Sequence, residues 1–321
     1  MTDPSPSPTD AAPGALVFYS EFDDPEEWRA ALLAQMPDLD FRVWPDIGNP
    51  DEVRTVFAWL PPKGFFSQFR NLTQVINLGA GVDALVGRDD LPDLPISRLS
   101  DPGMVRLMCS YVAFGVLRFA RDMDDFEAAK KRRAWHYIHP RPLHRIKVGV
   151  IGLGALGASV ARAIADLGFA VTGWDIAPKA LPNVTCLSGE AGRLQVLGGS
   201  EIVVNMLPLT PQTRGALDAA AFGAMAQGTK FINASRGAVV VERDLIAALQ
   251  SGHLGGALLD VFETEPLPQD HPFWDMDNVF ITPHLASITV PETAARDVAE
   301  SIRRVARGEA PLNQINPRNG F

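Results

Sequence analysis

The sequence has little cysteine, and its two cysteines cannot build a disulfide framework. Cys109 and Cys186 are far apart in a chain of 321 residues and lie in apolar surroundings. Small secreted domains depend on dense disulfides, so this chain fits a reducing compartment and a cytoplasmic location is predicted. Residues 1–13 have neither a basic region nor an apolar run, so no signal peptide is expected there. Their Pro, Ser, Thr and Asp content predicts a disordered tail.

Basic charge and long apolar runs are also scarce. Lys and Arg number 29 against 38 Asp and Glu, and the net charge is −9. A nucleic-acid surface needs a basic face, whereas the one cationic cluster, Lys130–Arg133, is interpreted as a solvated helix end. The longest uncharged apolar run, Val148–Ala161, is too short to span a membrane. We therefore expect neither nucleic acid nor a membrane as a partner.

Short apolar segments alternate with helical ones along the chain, which is typical of parallel sheets covered by helices. The composition changes at Ser100–Gly103, before a long helix, and an amphipathic helix over Glu292–Arg307 needs a first-domain surface to cover. The prediction is an α/β fold of two doubly wound parallel-sheet domains, with the second inserted into the first. Residues 14–100 and 290–321 form the first domain, and residues 101–289 form the second.

A glycine-rich loop follows the apolar strand that ends at Ile151. Gly152, Gly154 and Gly157 match the G-x-G-x-x-G pattern between a strand and an Ala- and Leu-rich helix. These glycines allow a tight turn, close approach of a pyrophosphate, and helix–strand contact, and the helix N-terminus favours phosphate. Asp175, at the end of the next strand, can accept hydrogen bonds from ribose hydroxyls. A glycine-rich turn in an unrelated αβ unit is the alternative.

Three further segments have the residue types that reduction of a 2-oxo acid requires. They are Phe231–Gly237, Leu259–Pro266 and Ile281–Ala286. Arg236 offers a planar fork for a carboxylate, and His284 can give a proton near neutral pH. Taken singly, Arg236 could pair with a surface carboxylate, Glu265 could be a solvated loop acid, and His284 could be an ordinary loop histidine.

In order and spacing, these segments and the glycine loop resemble the D-isomer-specific 2-hydroxyacid dehydrogenase family from about Ala15 onward. Within the family the chain is most similar to the glyoxylate/hydroxypyruvate reductase A branch, through features such as Trp59 and Leu78–Asp83. The resemblance implies a Rossmann dinucleotide-binding domain inserted into a flavodoxin-like substrate domain. It implies an NAD(P)-dependent reductase that converts a small 2-oxo acid to the D-2-hydroxy acid, and a homodimer.

The resemblance also assigns site residues. Arg236, Glu265 and His284 are the expected catalytic residues, with Glu265 orienting the imidazole of His284. Substrate contacts are expected from Trp59, Ala80, Gly81, Arg236 and His284, and the loop Gly79–Asp83 is expected to offer backbone N–H groups to the substrate carboxylate. Cofactor contacts are expected from Gly152, Gly154, Ala155, Leu156, Gly157, Asp175, Leu207, Pro208, Ala234, Ser235, Arg236, Asp260 and His284. Asp260 matches the family aspartate that contacts the nicotinamide carboxamide.

Three alternatives and one exclusion accompany this interpretation. Asp175 would repel a 2′-phosphate, so NAD(H) is expected to be preferred, although Lys179 could offset the repulsion and NADP(H) remains possible. A formate dehydrogenase is disfavoured, because that branch has Gln where Glu265 stands. A catalytically weak dinucleotide-sensing protein on the same fold is the competing class. The histidines fit no metal-ligand spacing, so no metal is expected.

Overall fold

The computed structural model describes residues 14–85 and 87–316, and the predicted tail over residues 1–13 lies outside them. The chain forms two compact units. One consists of the chain up to Met104 together with the chain from Ile288 onward, and the other is Val105–Ser287. This division lies a few residues from the boundaries that the sequence predicts.

The first unit is a parallel sheet of five strands, with neighbours in the order β2-β1-β3-β4-β5. The strands are β1 (Ala15–Tyr19), β2 (Phe41–Val43), β3 (Val53–Ala58), β4 (Gln74–Asn77) and β5 (Ile96–Arg98), and helix α1 is Pro25–Gln35. The α1 helix begins where the Asp24 side chain accepts a hydrogen bond from the Glu26 N–H. The strand order is that of a flavodoxin-like sheet, as expected.

The second unit is a parallel sheet of seven strands in the order β12-β11-β10-β9-β6-β7-β8. Its strands are β6 (Lys147–Ile151), β7 (Ala170–Asp175), β8 (Val184–Ser188), β9 (Ile202–Asn205), β10 (Thr229–Asn233), β11 (Leu254–Leu259) and β12 (Val279–Ile281). The helices are α2 (Pro102–Ala120), α3 (Met123–Lys131), α4 (Ala155–Asp166), α5 (Gly189–Gly199), α6 (Ala219–Gly223) and α7 (Glu242–Gln250). The order reverses at the adjacent strands β6 and β9, as in a Rossmann sheet, and ligands bind at such a reversal point.

The last described helix, α8 (Pro291–Ala306), returns to the first unit and packs on α1. Its buried face consists of small and branched apolar residues: Ala294, Ala295, Val298, Ala299 and Ile302. The amphipathic pattern over Glu292–Arg307 therefore predicted both this helix and the unit it covers. The fold class, two parallel-sheet α/β domains with one inserted into the other, is confirmed.

The sequence did not predict strands β5 and β8 or helices α5 and α6. Strand β5 has only three residues, and β8 lies at a sheet edge where none of its side chains is fully buried. An edge strand lacks the continuous apolar run that marks a buried parallel strand. Helix α6 has five residues, which is too short for a helical period to show.

Helix α2 is, within the described residues, the one helix long and apolar enough to cross a membrane. Met108, Val112, Val116 and Phe119 on this helix lie in the core of the second unit. Core helices of water-soluble proteins meet the same criterion, so the length and composition of α2 carry little weight as a sign of a membrane span.

Candidate active site

The glycine loop lies between β6 and α4, at the carboxyl end of the second sheet. Gly152 has a φ of +97°, and its N–H donates to the Trp174 carbonyl. A Cβ on Gly157 would lie 1.9 Å from the Gly152 carbonyl oxygen, so only glycine lets α4 approach the strand so closely. A Cβ on Gly154 would meet nothing within 4 Å. There is thus open space beside Gly154, directly before the first turn of α4. The residues present fit a dinucleotide pyrophosphate at this helix N-terminus.

Asp175 ends β7, as the sequence predicts, but its carboxylate already has backbone partners. Oδ2 accepts a 2.9 Å hydrogen bond from the Leu153 N–H, and Oδ1 accepts a 3.2 Å bond from the Ala177 N–H. Asp175 therefore ties the glycine loop to the end of β7. Lys179 lies exposed four residues further on.

A pair of buried amides connects the carboxyl ends of β9 and β10. Asn205 Nδ2 donates to Asn233 Oδ1 at 3.0 Å, and Asn205 Oδ1 accepts from the Leu207 N–H. The Ser235 hydroxyl donates to the Leu207 carbonyl. These bonds bring together the two loops that contain the expected cofactor residues Leu207, Pro208, Ala234 and Ser235. Neither amide was predicted from the sequence to have a role, although an Asn at the end of each of two buried strands is a signal that the sequence does contain.

Arg236 follows β10 and begins a tight turn. Its Nη1 donates to the Ser235 carbonyl at 2.9 Å, and Asn233 Nδ2 donates to the Arg236 carbonyl at 3.3 Å. A Cβ on the next residue, Gly237, would lie 1.9 Å from the Phe262 carbonyl carbon. Glycine at this position therefore lets the Arg236 turn touch the loop that follows β11, which includes Glu265.

Glu265 and His284 form a direct pair, with 2.7 Å between Glu265 Oε2 and His284 Nδ1. Glu265 Oε1 accepts from the Phe262 N–H at 2.9 Å. Burial raises the pKa of Glu265, but the hydrogen bonds from His284 and Phe262 and the charges of His284 and Arg236 outweigh it. The net result is a pKa below the ordinary value. An ionised carboxylate only accepts, so Nδ1 donates to Glu265 and Nε2 is the ring nitrogen that this pair leaves uncommitted.

The backbone of His284 is held in the left-handed region, with φ +54°. This conformation is uncommon for non-glycine residues, although histidine adopts it more readily than most, and surrounding contacts can hold it. Here the His284 N–H donates to the Asp260 carbonyl at 2.8 Å and to the Thr282 carbonyl at 3.1 Å. The turn thereby fixes the direction in which the imidazole leaves the chain.

The Asp260 carboxylate, which is 1% exposed, holds the same turn from its other side. Oδ1 accepts from the Thr282 hydroxyl at 2.6 Å and from the Leu285 N–H at 2.9 Å, and Oδ2 accepts from the Ala286 N–H at 2.9 Å. The Thr282 hydroxyl has a single proton, which it donates to Asp260. It therefore accepts in its second hydrogen bond, and the Tyr111 hydroxyl is the donor at 2.5 Å. Burial and the Asp260 charge raise the pKa of Tyr111. Contact of Asp260 with the nicotinamide carboxamide stays a prediction. Tyr111 and Thr282 join the candidate site through these hydrogen bonds, which spacing along the sequence alone could not reveal.

In the first unit, Trp59 and the loop that includes Ala80 and Gly81 lie at the carboxyl ends of β3 and β4. A Cβ on Gly79 would come within 2.5 Å of the Trp59 ring, so glycine allows the indole to lie against this loop. The structure therefore brings the three residues predicted to contact substrate in this unit into one place. Their contact with substrate stays a prediction.

Among residues 14–85 and 87–316, no three His, Cys, Asp or Glu side chains come together as a metal site would require. The second histidine–carboxylate pair of the unit, His271 Nε2 and Glu242 Oε2 at 3.4 Å, is part of the loop structure after β11. His271 Nδ1 accepts from the Phe273 N–H, and Glu242 accepts from the Glu263 N–H.

The fold and site define a class: an oxidoreductase that transfers hydride between a nicotinamide dinucleotide and a 2-oxo or 2-hydroxy acid. The family model described as D-isomer specific 2-hydroxyacid dehydrogenase, NAD binding domain, matches residues 114–286, more than half of the chain. The chain belongs to this family and is an NAD(P)-dependent D-2-hydroxyacid dehydrogenase.

Curated relatives match over nearly their whole length. Glyoxylate/hydroxypyruvate reductase A of Serratia proteamaculans (strain 568) is 37% identical over 312 residues, which are 95% of this chain and 99% of that protein. The protein of the same name from Yersinia enterocolitica is 35% identical with the same coverage. These relatives confirm the resemblance to the reductase A branch.

Solved structures agree. A D-isomer specific 2-hydroxyacid dehydrogenase from Xanthobacter autotrophicus Py2, in complex with NADPH and MES, is 55% identical with a TM-score of 0.93. The match covers 97% of this chain and 100% of that one. The NADPH-dependent glyoxylate/hydroxypyruvate reductase of Sinorhizobium meliloti, with NADP and sulfate, is 33% identical with a TM-score of 0.89, covering 96% and 100%.

Proposed function

We propose that this enzyme reduces glyoxylate or hydroxypyruvate, giving the D-configured product where the product is chiral. The observation that carries the proposal is the His284–Glu265 pair, 2.7 Å apart, in one unit with Arg236 and the glycine loop. The curated relatives named glyoxylate/hydroxypyruvate reductase A support this choice among small 2-oxo acids.

The nicotinamide cofactor supplies the hydride when it is bound. His284 holds a proton at Nε2 and donates it to the carbonyl oxygen, because its Nδ1 is committed to Glu265. Glu265 stabilises the charged imidazole and fixes its direction. The Arg236 guanidinium binds the substrate carboxylate and polarises the neighbouring carbonyl.

Trp59, Ala80 and Gly81 are proposed as further substrate contacts. Their grouping at the ends of β3 and β4 supports this role, since the Trp59 indole gives an apolar wall beside a loop of small residues. A wall of this kind favours short side chains on the 2-oxo acid, in keeping with glyoxylate and hydroxypyruvate.

For the cofactor, the expected preference for NAD(H) has no support from the relatives, two of which hold NADPH or NADP in their structures. We propose that the enzyme uses NADP(H). The Asp175 carboxylate accepts from Leu153 and Ala177, so part of its hydrogen-bonding capacity goes to the loop and not to a ribose. The exposed Lys179 supplies a cation for a 2′-phosphate.

A homodimer in the cytoplasm is proposed as the working form. Three aromatic side chains of the second unit support association: Trp135 is 99% exposed, Tyr137 75% and Phe114 48%. Exposed aromatic residues are enriched at interfaces between copies. Light scattering should give twice the chain mass, and a Trp135→Ser, Phe114→Ser double variant should shift the protein toward monomer; a monomeric wild type contradicts the proposal.

The test of function is a panel of 2-oxo acids with NADH and with NADPH, followed by absorbance of the reduced cofactor. Glyoxylate and hydroxypyruvate should be the best substrates. Turnover of phenylpyruvate but of neither small acid would contradict the substrate proposal and leave the family intact. Binding of NADPH without turnover of any acid would favour the sensor interpretation.

A further inference from the structure

The carbonyl groups of Gly79, Ala80 and Gly81 all accept hydrogen bonds from side chains outside the loop of residues 79–82. The side chain of Asn77, which is 1% exposed, donates from Nδ2 to the Gly79 carbonyl at 2.9 Å and to the Gly81 carbonyl at 2.8 Å. The Leu99 N–H also donates to the Gly79 carbonyl, at 3.1 Å. The carbonyl between these two, that of Ala80, accepts from Arg98 Nη1 at 3.4 Å.

These contacts also set the direction of the N–H groups in the loop. In a trans peptide the carbonyl and the following N–H point in opposite directions. The Gly79 and Gly81 carbonyls point toward Asn77, so the N–H groups of Ala80 and Val82 point away from it, and the Gly81 N–H points away from Arg98. In the described part of the chain none of these three N–H groups has a hydrogen-bond acceptor. Successive N–H groups on one side of a turn form an anion-binding concavity.

Arg98 brings an uncompensated charge to the same loop. Its side chain is half-buried, and no carboxylate of the described residues lies within ion-pair distance of it. Burial lowers the pKa of Arg98, as expected for a cation without a partner acid. Because the guanidinium contacts the Ala80 carbonyl, it polarises that peptide and strengthens the Gly81 N–H as a donor.

We propose that Asn77 and Arg98 are positioning residues that hold loop 79–82 with its N–H groups turned outward to bind the carboxylate of the 2-oxo acid. The proposal rests on the proposed function, and the contact of the loop N–H groups with the substrate carboxylate is already expected from the sequence. The new part is the role of Asn77 and Arg98, two residues that have no assigned role. Both act through the backbone: Asn77 sets the direction of the N–H groups, and Arg98 raises the positive potential around them.

The test compares Asn77→Ala, Asn77→Asp and Arg98→Met with a matched control, Gln74→Ala. Gln74 is also a buried amide of β4, but it donates to Thr55 and not to the loop. The readouts are KM for glyoxylate, KM for NADPH, kcat and Tm. Binding of oxamate to the protein with NADPH is measured by calorimetry, since oxamate presents the same carboxylate and requires no turnover.

The Asn77 variants should raise KM for glyoxylate and weaken oxamate binding about tenfold or more, with KM for NADPH and kcat changed about threefold at most. Asn77→Asp should be the more severe, because a carboxylate repels both the loop carbonyls and the substrate. Arg98→Met should have a smaller effect of the same kind, and Arg98→Lys should restore part of it. Gln74→Ala should alter Tm alone.

Folded Asn77 variants with unchanged KM and unchanged oxamate affinity would overturn the proposal, as would an equal rise in KM for Gln74→Ala. If the wild type binds oxamate but reduces no 2-oxo acid, the proposed function fails while oxamate binding by the variants still decides this inference. If the wild type reduces glyoxylate and the variants match it, the inference alone fails.

Discussion

The two sheets present different chemistry at their carboxyl ends. In the second unit the proposed site consists of the charged side chains Arg236, Glu265 and His284, and buried carboxylates and amides hold the turns that contain Arg236 and His284. In the first unit the corresponding loop, residues 79–82, offers backbone N–H groups, and side chains act on it from behind. Proton transfer needs titratable side chains, whereas binding a carboxylate needs only hydrogen-bond donors that point toward it.

The comparison predicts that changes at the His284–Glu265 pair lower kcat and changes at loop 79–82 raise KM. The largest effect is expected for His284→Ala, which removes the proton donor and should reduce kcat by roughly 10²–10⁴. Steady-state kinetics with glyoxylate and a fluorescence titration of NADPH would check it, and NADPH affinity should change little.

His271→Ala is the matched control for that variant, since it breaks the other histidine–carboxylate pair of the same unit. It should leave kcat within about threefold of the wild type. Equal losses in the two variants would show that the His284 effect comes from loop structure and not from proton transfer.

The close approach between the Arg236 turn and the Phe262 loop gives the next effect. Gly237→Ala places a methyl group against the Phe262 backbone, and overpacking of this kind costs about 1–3 kcal/mol in the free energy of unfolding. Denaturant melts should show the loss, and kcat should fall because the Arg236 and Glu265 loops separate. Gly223→Ala, where a Cβ meets nothing within 4 Å, is the control, and a normal Gly237→Ala enzyme would contradict the packing argument.

Glu265→Gln should shift the pH dependence and not abolish the reaction. The neutral amide no longer stabilises the protonated imidazole, so the alkaline decline of the reduction rate should begin at lower pH. The pH–rate profiles of kcat/KM for the two proteins would check this. Identical profiles would remove Glu265 from the proton-transfer step.

The same substitution affects stability with a definite sign. The pKa of Glu265 is depressed in the folded protein, so its ionised form stabilises the fold above its ordinary value of 4.5, and this contribution is lost as the pH falls below that value. Denaturant melts from pH 7 to pH 3 should show the wild type losing more stability than Glu265→Gln on acidification. Parallel curves would mean that the ionised pair adds no stability.

The smallest effect concerns the cofactor. Asp175→Ser keeps a hydrogen-bond acceptor for the Leu153 N–H but removes the charge, so the ratio of kcat/KM for NADPH to that for NADH should rise, by about tenfold. Lys179→Ala should move the ratio in the opposite direction. A wild type that strongly prefers NADH, with no response to Lys179→Ala, would restore the expectation based on Asp175 alone.

The amino-acid sequence by itself determined the architecture, the insertion of one domain into the other, the glycine loop and the membership of Arg236, Glu265 and His284 in one family pattern. These features are local, since strand and helix periods and motif spacing depend on neighbours along the chain. It did not reveal β5 and β8, because short strands and edge strands lack a continuous apolar run.

Only the tertiary structure decided what holds the site residues in place. The chain from Tyr111 through Thr282 to Asp260, the Asn205–Asn233 pair, and the Asn77 and Arg98 contacts with loop 79–82 join residues from different strands and helices. A hydrogen bond depends on distance and angle within a few tenths of an ångström, and no spacing along a sequence encodes that.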